Sequence, residues 1–287
     1  MPGKVRAFCP GHISGYFKPV FTGDPATTGS LGAGVVIDEG VTVVATPDRS
    51  PAVRIVRKDL HGTILESRDG SAPVESLMEK MGVGSRIVTE CHLPIGAGFG
   101  LSAAALMASA LALNALHDLG LSRRECAGLA HETEVLHRTG LGDVAACQAG
   151  GRDCRTGPGI PGEIHRDRDA DLHLVAVTFS ALPSPTVLTS AESLERITRA
   201  FPGRCPGSPE EFFTLSRQFA EASGLITPPV RKALSLCDAK EIPASMTMLG
   251  NGVFAMGDRA GKVLSGLGEA FSLGVAGEGV RILEVQE

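Results

Sequence analysis

The stretch Pro94-Ile95-Gly96-Ala97-Gly98-Phe99-Gly100-Leu101-Ser102-Ala103-Ala104 constrains this chain more than any other. A strand-like run over residues 85–92 leads into it, and an Ala/Leu-rich helical pattern over about 102–118 leads out. Glycines at three alternate positions let the backbone turn tightly and approach a ligand closely. The following helix aims its first free N–H groups at the loop, with the positive end of its dipole behind them. Strand, glycine loop and helix make an anion site, and phosphate is the natural anion.

Two familiar phosphate loops do not fit. A P-loop requires Gly-Lys-Ser or Gly-Lys-Thr, and neither occurs. A dinucleotide turn reads GxGxxG and is followed by a strand ending in an acidic residue that holds the ribose. Here the spacing is Gly96-x-Gly98-x-Gly100, a second helix follows the first, and Asp118 falls at a helix end. The remaining bland reading is a loop that is glycine-rich for tight packing alone.

The 287 residues suit two domains, or one domain with a large second lobe. Hydrophobic residues make up 43%, enough for a sizeable core, and with no Trp and one Tyr that core is aliphatic and rich in Ala and Gly. A formal charge of −5 argues against nucleic acid as the main partner. The seven cysteines (Cys9, Cys91, Cys126, Cys147, Cys154, Cys205, Cys237) are scattered, odd in number and without CxxC or zinc spacing. They read as reduced thiols of a cytoplasmic protein. No apolar signal core follows Met1, and no uncharged apolar run reaches membrane-spanning length. Residues 101–116, the most apolar segment, contain Ser102, Ser109 and Asn114 and read as a buried helix.

Along the chain, residues 5–9 read as a strand stopped by Pro10-Gly11, and 12–17 as a polar loop. A second glycine-rich stretch, 24–34, enters a strand at 35–37; strands follow at 41–45 and 53–57, with turns at Glu39-Gly40 and Pro47-Asp48. Residues 64–65 form a short return and 73–81 a helix. Ser122 with Glu125 is a capping box opening a helix to about His137. Thr139-Gly140-Leu141-Gly142-Asp143 is a turn into an Ala-rich helix ending at Gly150-Gly151, and the breaker cluster 157–162 marks a lobe boundary. A strand at 171–179, helices at 190–201, 209–223 and 229–239, a strand near Met246, a loop at 250–252 and a last strand at 280–284 complete the chain.

The loop pattern Pro-x-x-x-Gly-x-Gly-x-Ser-Ala-Ala resembles the second motif of the GHMP kinase superfamily, with Phe99 for the usual Leu and Leu101 for the first Ser of a pair. The first motif, usually Ala-Pro-Gly-Lys, reads Cys9-Pro10-Gly11-His12. In several members the missing Lys lies close to the catalytic Asp, and the sequence leaves open whether His12 replaces it. Within the superfamily the chain most resembles the archaeal pantoate kinase family, through residues 9–17, Gly29-Ser30-Leu31-Gly32-Ala33-Gly34, the glycine loop, Thr139-Gly140-Leu141-Gly142-Asp143-Val144 and Met248-Leu249-Gly250-Asn251.

The resemblance implies an α+β, two-lobed GHMP kinase fold, with a ribosomal S5 domain 2-like N-terminal lobe over 1–157 and an α/β lobe over 158–287. The strand-rich start and helical middle agree with it independently. It implies ATP-dependent phosphorylation of (R)-pantoate in coenzyme A biosynthesis, with Mg²⁺. Pro94, Gly96, Ala97, Gly98, Gly100, Ser102 and Ala103 would cradle the nucleotide, Ser102 and Glu134 would hold the metal, and Asp143 would be catalytic. Glu134 is preferred to Glu132 because His137 follows it three residues on. Taken singly, Ser102 reads equally as a helix cap, Glu134 as a solvated helix carboxylate and Asp143 as a helix-start cap.

Pantoate's carboxylate needs a fixed cation or a ring of donors. Arg155 is the first candidate, ahead of Arg138, with Ser30 as a donor; His131, one helical turn before Glu134, is a substrate contact or a structural His. Any of these Arg residues also reads as a plain surface Arg. The expected partners are pantoate and ATP, with neither nucleic acid nor membrane, and a homodimer is left open. Two alternatives stand beside this reading: a kinase for homoserine, shikimate or a mevalonate-type alcohol, and a non-catalytic ligand sensor on the same fold.

Overall fold

The computed structural model describes residues 2–168, 171–180 and 190–287. Its frame is an antiparallel ribbon of β1 (Lys4–Val20) and β2 (Gly29–Pro47). Alternation sets its buried face, with Val5, Ala7 and Cys9 on one strand and Val41, Val43 and Ala45 on the other. The expected stop at Pro10-Gly11 does not occur. The register slips there opposite Gly40, and residues 12–17, expected as a loop, continue as strand. Proline lacks a donor for the ladder and is tolerated at such a bulge. β2 likewise runs through Glu39-Gly40, where a turn was expected.

The second half of β2 pairs with β5 (Ser85–Cys91), which lies parallel to β3 (Ala52–Lys58); β3 pairs in turn with β4 (Ile64–Asp69). Helix α1 (Ala72–Met81) lies on the crossover from β4 to β5 that this parallel pair requires. The first half of β2 pairs with β6 (Arg152–Arg155), which forms a hairpin with β7 (Ile164–Asp167) around the 157–162 cluster. The last strand, β12 (Arg281–Gln286), returns to the outer edge of β1. β7 and β12 therefore join the first sheet, and the boundary expected at 157/158 does not coincide with the division between sheets.

The second sheet is antiparallel in the order β11 (Glu269–Gly274), β8 (His173–Ser180), β10 (Asn251–Met256), β9 (Ala244–Met246). Between β8 and β11 the chain also forms α5 (Ala191–Ala200), α6 (Pro209–Ser223), α7 (Pro228–Asp238) and α8 (Arg259–Leu264), of which α5 and α6 pack on β1 of the first sheet. β10 lies where a loop at 250–252 was expected, because Gly250-Asn251-Gly252 masks the start of a buried Val-Phe-Ala run.

Helix α2 (Leu101–His117) packs on β1, β2 and α3 (Arg123–Leu136). Its Ala-rich surface permits close approach, and Leu106, Met107 and Leu113 are fully buried. Burying each such side chain is worth about 1.5–3 kcal/mol. The capping box of α3 forms as expected: Glu125 N–H donates to Ser122 Oγ at 3.2 Å, and Ser122 N–H to Glu125 Oε2 at 2.7 Å. Helix α4 (Asp143–Ala146) is a single turn, shorter than expected. Arg166 of β7 caps its end, donating to the carbonyls of Ala145 and Ala146 at 3.2 and 2.7 Å. This holds Asp143, the first residue of that turn, against the first sheet.

The expectation that all seven cysteines are reduced is corrected: Cys154 and Cys205 form a disulfide. Strand alternation points Cys154 away from its neighbours Asp153 and Arg155, towards the segment that enters α6. A separation of 51 residues carried no sequence signal for this pairing. No helix of the described residues is long and apolar enough to cross a membrane.

Candidate active site

A cavity of about 550 Å³ opens between the glycine loop, β1, the start of α1 and the turn into α4. Gly96, Gly98, Gly100 and Ser102 form one wall; Ser30, Thr139, Gly142 and Asp143 face it, and His12 lies between them. The loop is locked on both sides. His12 N–H donates to the Phe99 carbonyl at 2.9 Å, and Thr247 Oγ1 donates to the Ala97 carbonyl at 3.2 Å. Gly100 has φ 63° and is the N-cap of α2, a left-handed conformation that suits a residue without Cβ. The helix therefore opens at Leu101, and Ser102 is its second residue rather than its cap. Ala97 and Ala103 turn into the core, and Pro94 does not reach the cavity wall.

Helix α3 carries His131 and Glu134 on one face. Both are fully buried and neither lines the cavity. His131 Nε2–H donates to the Thr28 carbonyl at 2.7 Å, and its Nδ1 lies 3.7 Å from Glu134 Oε2. Neither Glu134 oxygen has a hydrogen-bond partner. Burial holds the Glu134 carboxyl above the usual range against the pull of His131, and the nearby Asp143 charge adds to the rise. His131 is pushed up in turn: burial opposes its charge, and Glu134 outweighs burial. Gly140 packs close against both carboxylates, on the side where a Cβ would stand.

The opposite side of Asp143 is occupied by His12. Its Nδ1 lies 2.6 Å from Asp143 Oδ1, and its Nε2 lies 2.7 Å from Asp153 Oδ1. Asp153 also accepts from Arg155 Nη1. Of these four residues only Asp143 is appreciably exposed, with 22% of its side chain accessible. Arg155 Nε is buried without a partner, and it lies beside Gly142 and near the Ser30 hydroxyl. Ser30 thus lines the cavity, Arg155 is buried near it by Gly142, and His131 sits further back.

Asp153 was missed in the sequence. The segment after Gly150-Gly151 carried no strand assignment, so the period of two that puts Asp153 and Arg155 on one face was not visible. His12 was noticed only as a replacement for Lys. Among the described residues no three His, Cys, Asp or Glu side chains are grouped as a metal site.

The sequence family described as GHMP kinases N terminal domain matches residues 71–151, which span α1, the glycine loop, α3 and α4. The chain is 48% identical over 280 residues to the pantoate kinase of Methanospirillum hungatei JF-1, covering 98% of this chain and 96% of that one. It is 33% identical over 269 residues to the pantoate kinase of Thermococcus kodakarensis, covering 88% and 87%. A solved structure described as a phosphotransferase related to the CoA biosynthesis pathway superposes with a TM-score of 0.81 at 29% identity, over 98% of both chains. The α+β architecture is the two-lobed GHMP kinase fold, and identity at this level over nearly the whole length places the chain in the pantoate kinase family of GHMP kinases.

Proposed function

We propose that this protein transfers the γ-phosphoryl group of ATP to the primary hydroxyl of (R)-pantoate, giving 4-phosphopantoate and ADP on the cytoplasmic route to coenzyme A. The observation that carries this reading is that Asp143 opens into the same cavity as Gly98, Gly100 and Ser102. Phosphoryl transfer needs little covalent chemistry from the protein; it needs the acceptor hydroxyl, the phosphate and the stabilising charges held together. The glycine-loop N–H groups and the start of α2 would cradle the triphosphate. Asp143, across the cavity, would orient the acceptor hydroxyl and receive its proton.

The substrate carboxylate would meet the Ser30 hydroxyl on the cavity wall, and the spare Arg155 Nε–H, buried near Gly142, would reach it by a side-chain shift on binding. Arg155 already neutralises Asp153, so it offers a directed donor rather than a free cation. Apolar Leu141, Met248 and Leu249 on the cavity wall suit the dimethyl-bearing carbon between the two ends of pantoate.

A divalent metal fits the residues present. Glu134 holds two buried oxygens without hydrogen-bond partners, and the Ser102 side chain is not spent on capping α2. Mg²⁺ takes one or two carboxylates together with phosphate and water, so Glu134 and Ser102 would hold it. Bound there, it would neutralise charge on the phosphates.

An ATP-consumption assay over pantoate, pantothenate, homoserine, shikimate and mevalonate tests the reading. Turnover with pantoate well above the others is the expected result. Preference for another alcohol would move the chain to a different kinase activity, and ATP binding without any turnover would favour the ligand sensor.

A further inference from the structure

His12 is fully buried between two acids, and its two short contacts fix more than its position. Ionised carboxylates only accept hydrogen bonds, and a neutral imidazole has a single N–H. A neutral His12 would therefore set a ring lone pair against a carboxylate lone pair at 2.6 or 2.7 Å. Asp153 is committed as an anion: burial opposes its charge, yet Arg155 and His12 hold its carboxyl well below the usual range. With His12 and Arg155 cationic and Asp143 and Asp153 anionic, the formal charges of the buried cluster cancel. Loss of the His12 proton would leave an uncompensated buried charge, which is costly.

We propose that Asp153 is a positioning residue for phosphoryl transfer: it anchors His12 as an imidazolium, which clamps Asp143 through Oδ1 and keeps the ring proton off that carboxylate. The proposal rests on the kinase reading above. Asp143 Oδ2, on the side of Gly140, is then the free acceptor. As the substrate O–P bond forms and the γ-phosphorus–oxygen bond to ADP breaks, the hydroxyl proton passes to Asp143 Oδ2, while both His12 protons stay in place. Neither Asp153 nor its link to Arg155 lines the cavity, so Asp153 acts only through its neighbours.

Of the groups around His12, the Arg155 guanidinium of β6 opposes a second positive charge, with Nη1 3.5 Å from Nε2, and the others leave the proton in place. Burial alone would lower its pKa, but Asp153 and Asp143 outweigh burial and push it up to about 9. On its own strand Ser14 Oγ lies 3.5 Å from Nδ1. At the C-cap of α4 the Cys147 thiol is held well above its ordinary value, first by its contact with Cys9, and so stays neutral. From β7 Arg166 acts on Asp153, and from α3 Glu134 acts on Asp143.

The test is ¹⁵N NMR of the full-length, ¹⁵N-histidine-labelled wild type, with His12 assigned through His12→Gln, combined with kinetics of Asp153→Asn. Both His12 ring nitrogens should carry the imidazolium signature at pH 7.5 and lose it only towards about pH 9. Asp153→Asn should lower kcat roughly tenfold or more while each KM changes less than about threefold, as expected when transition-state alignment and not binding is lost. Its high-pH limb of kcat should move down by about one pH unit or more, because one of the two carboxylates holding the His12 proton is gone. A neutral His12 at pH 7.5 would overturn the proposal, as would an Asp153→Asn enzyme with unchanged kcat and pH profile or with a loss confined to KM. If Asp153→Asn does not fold, the wild-type spectrum still decides. An imidazolium signature in a wild type that phosphorylates no alcohol would overturn the functional reading and not the charge state of His12.

Discussion

Glu134 and Asp143 both hold a carboxylate oxygen against the position that a Gly140 Cβ would occupy. A Cβ added there would collide with Glu134 Oε1 and sit 3.2 Å from Asp143 Oδ2. The glycine is thus required for close approach of two acids. Gly140→Ala should destabilise the fold by about 1–3 kcal/mol, in line with overpacking of a closed interior. It should also lower kcat/KM by roughly tenfold or more, because a misplacement of about 1 Å near the chemistry costs as much or more. Thermal melts and steady-state kinetics check both. An unchanged melt and rate would mean that the two acids are not packed against this residue.

The raised Glu134 carboxyl has a definite sign in the pH dependence of stability. A group whose folded pKa lies above its unfolded value contributes stability at low pH and loses it as pH rises through the folded pKa. Metal-free wild type should therefore lose stability above the ordinary carboxylate range, and Glu134→Gln should flatten that fall. Millimolar Mg²⁺ should restore wild-type stability at neutral pH, and chelation should reverse the gain. Melts with and without Mg²⁺ read this directly; an equal Mg²⁺ effect in Glu134→Gln would place the metal elsewhere.

Arg155 carries the one cationic N–H near Ser30 that the described buried side chains leave unpaired. A hydrogen bond to a charged group is worth about 1.5–3 kcal/mol, so Arg155→Ala should raise KM for pantoate roughly ten- to hundred-fold. KM for ATP should move by less than about threefold, while kcat also falls, because Arg155 balances the Asp153 charge that anchors His12. Equal effects on both KM values would mean that this guanidinium does not hold the substrate carboxylate.

The Cys154–Cys205 disulfide ties β6, which carries Asp153 and Arg155, to the approach of α6. The same approach is joined to the ribbon by the Tyr16 hydroxyl, which donates to the Arg204 carbonyl at 2.8 Å. It is joined to β6 by Arg152, which donates to the Pro206 carbonyl at 2.9 Å. For cysteines 51 residues apart, chain entropy gives a stabilisation of about 4 kcal/mol. Thiol reductant, or Cys154→Ser, should lower Tm clearly, and a Tm insensitive to both would show that the bridge does not stabilise the fold.

Much of the fold was legible where sequence patterns are local. The capping box at Ser122, the Ala-rich helix after the glycine loop and the short strands at 53–57 and 85–92 needed only propensity and periodicity. The ribbon was not: Pro10, Gly11 and Gly40 read as turn residues, and only the pairing of distant strands turns them into a bulge. The site divides in the same way. Ser102, Glu134 and Asp143 stand in motifs that can be recognised along the chain. His12 and Asp153 lie 141 residues apart, and only the pairing of β2 with both β1 and β6 brings them together. The disulfide was hidden for the same reason.

The Asp143 carboxylate, facing the glycine loop across one cavity, would direct phosphate onto the primary hydroxyl of pantoate. The direct measurement is ³¹P NMR of the product formed from ATP and pantoate by wild type and by Asp143→Asn, with nucleotide affinity measured on both. Wild type should give 4-phosphopantoate and ADP, while Asp143→Asn binds ATP with similar affinity and turns over at least about a hundredfold more slowly, since it keeps the shape but not the charge. Near-normal turnover by Asp143→Asn, or phosphate on the secondary hydroxyl, would contradict the account.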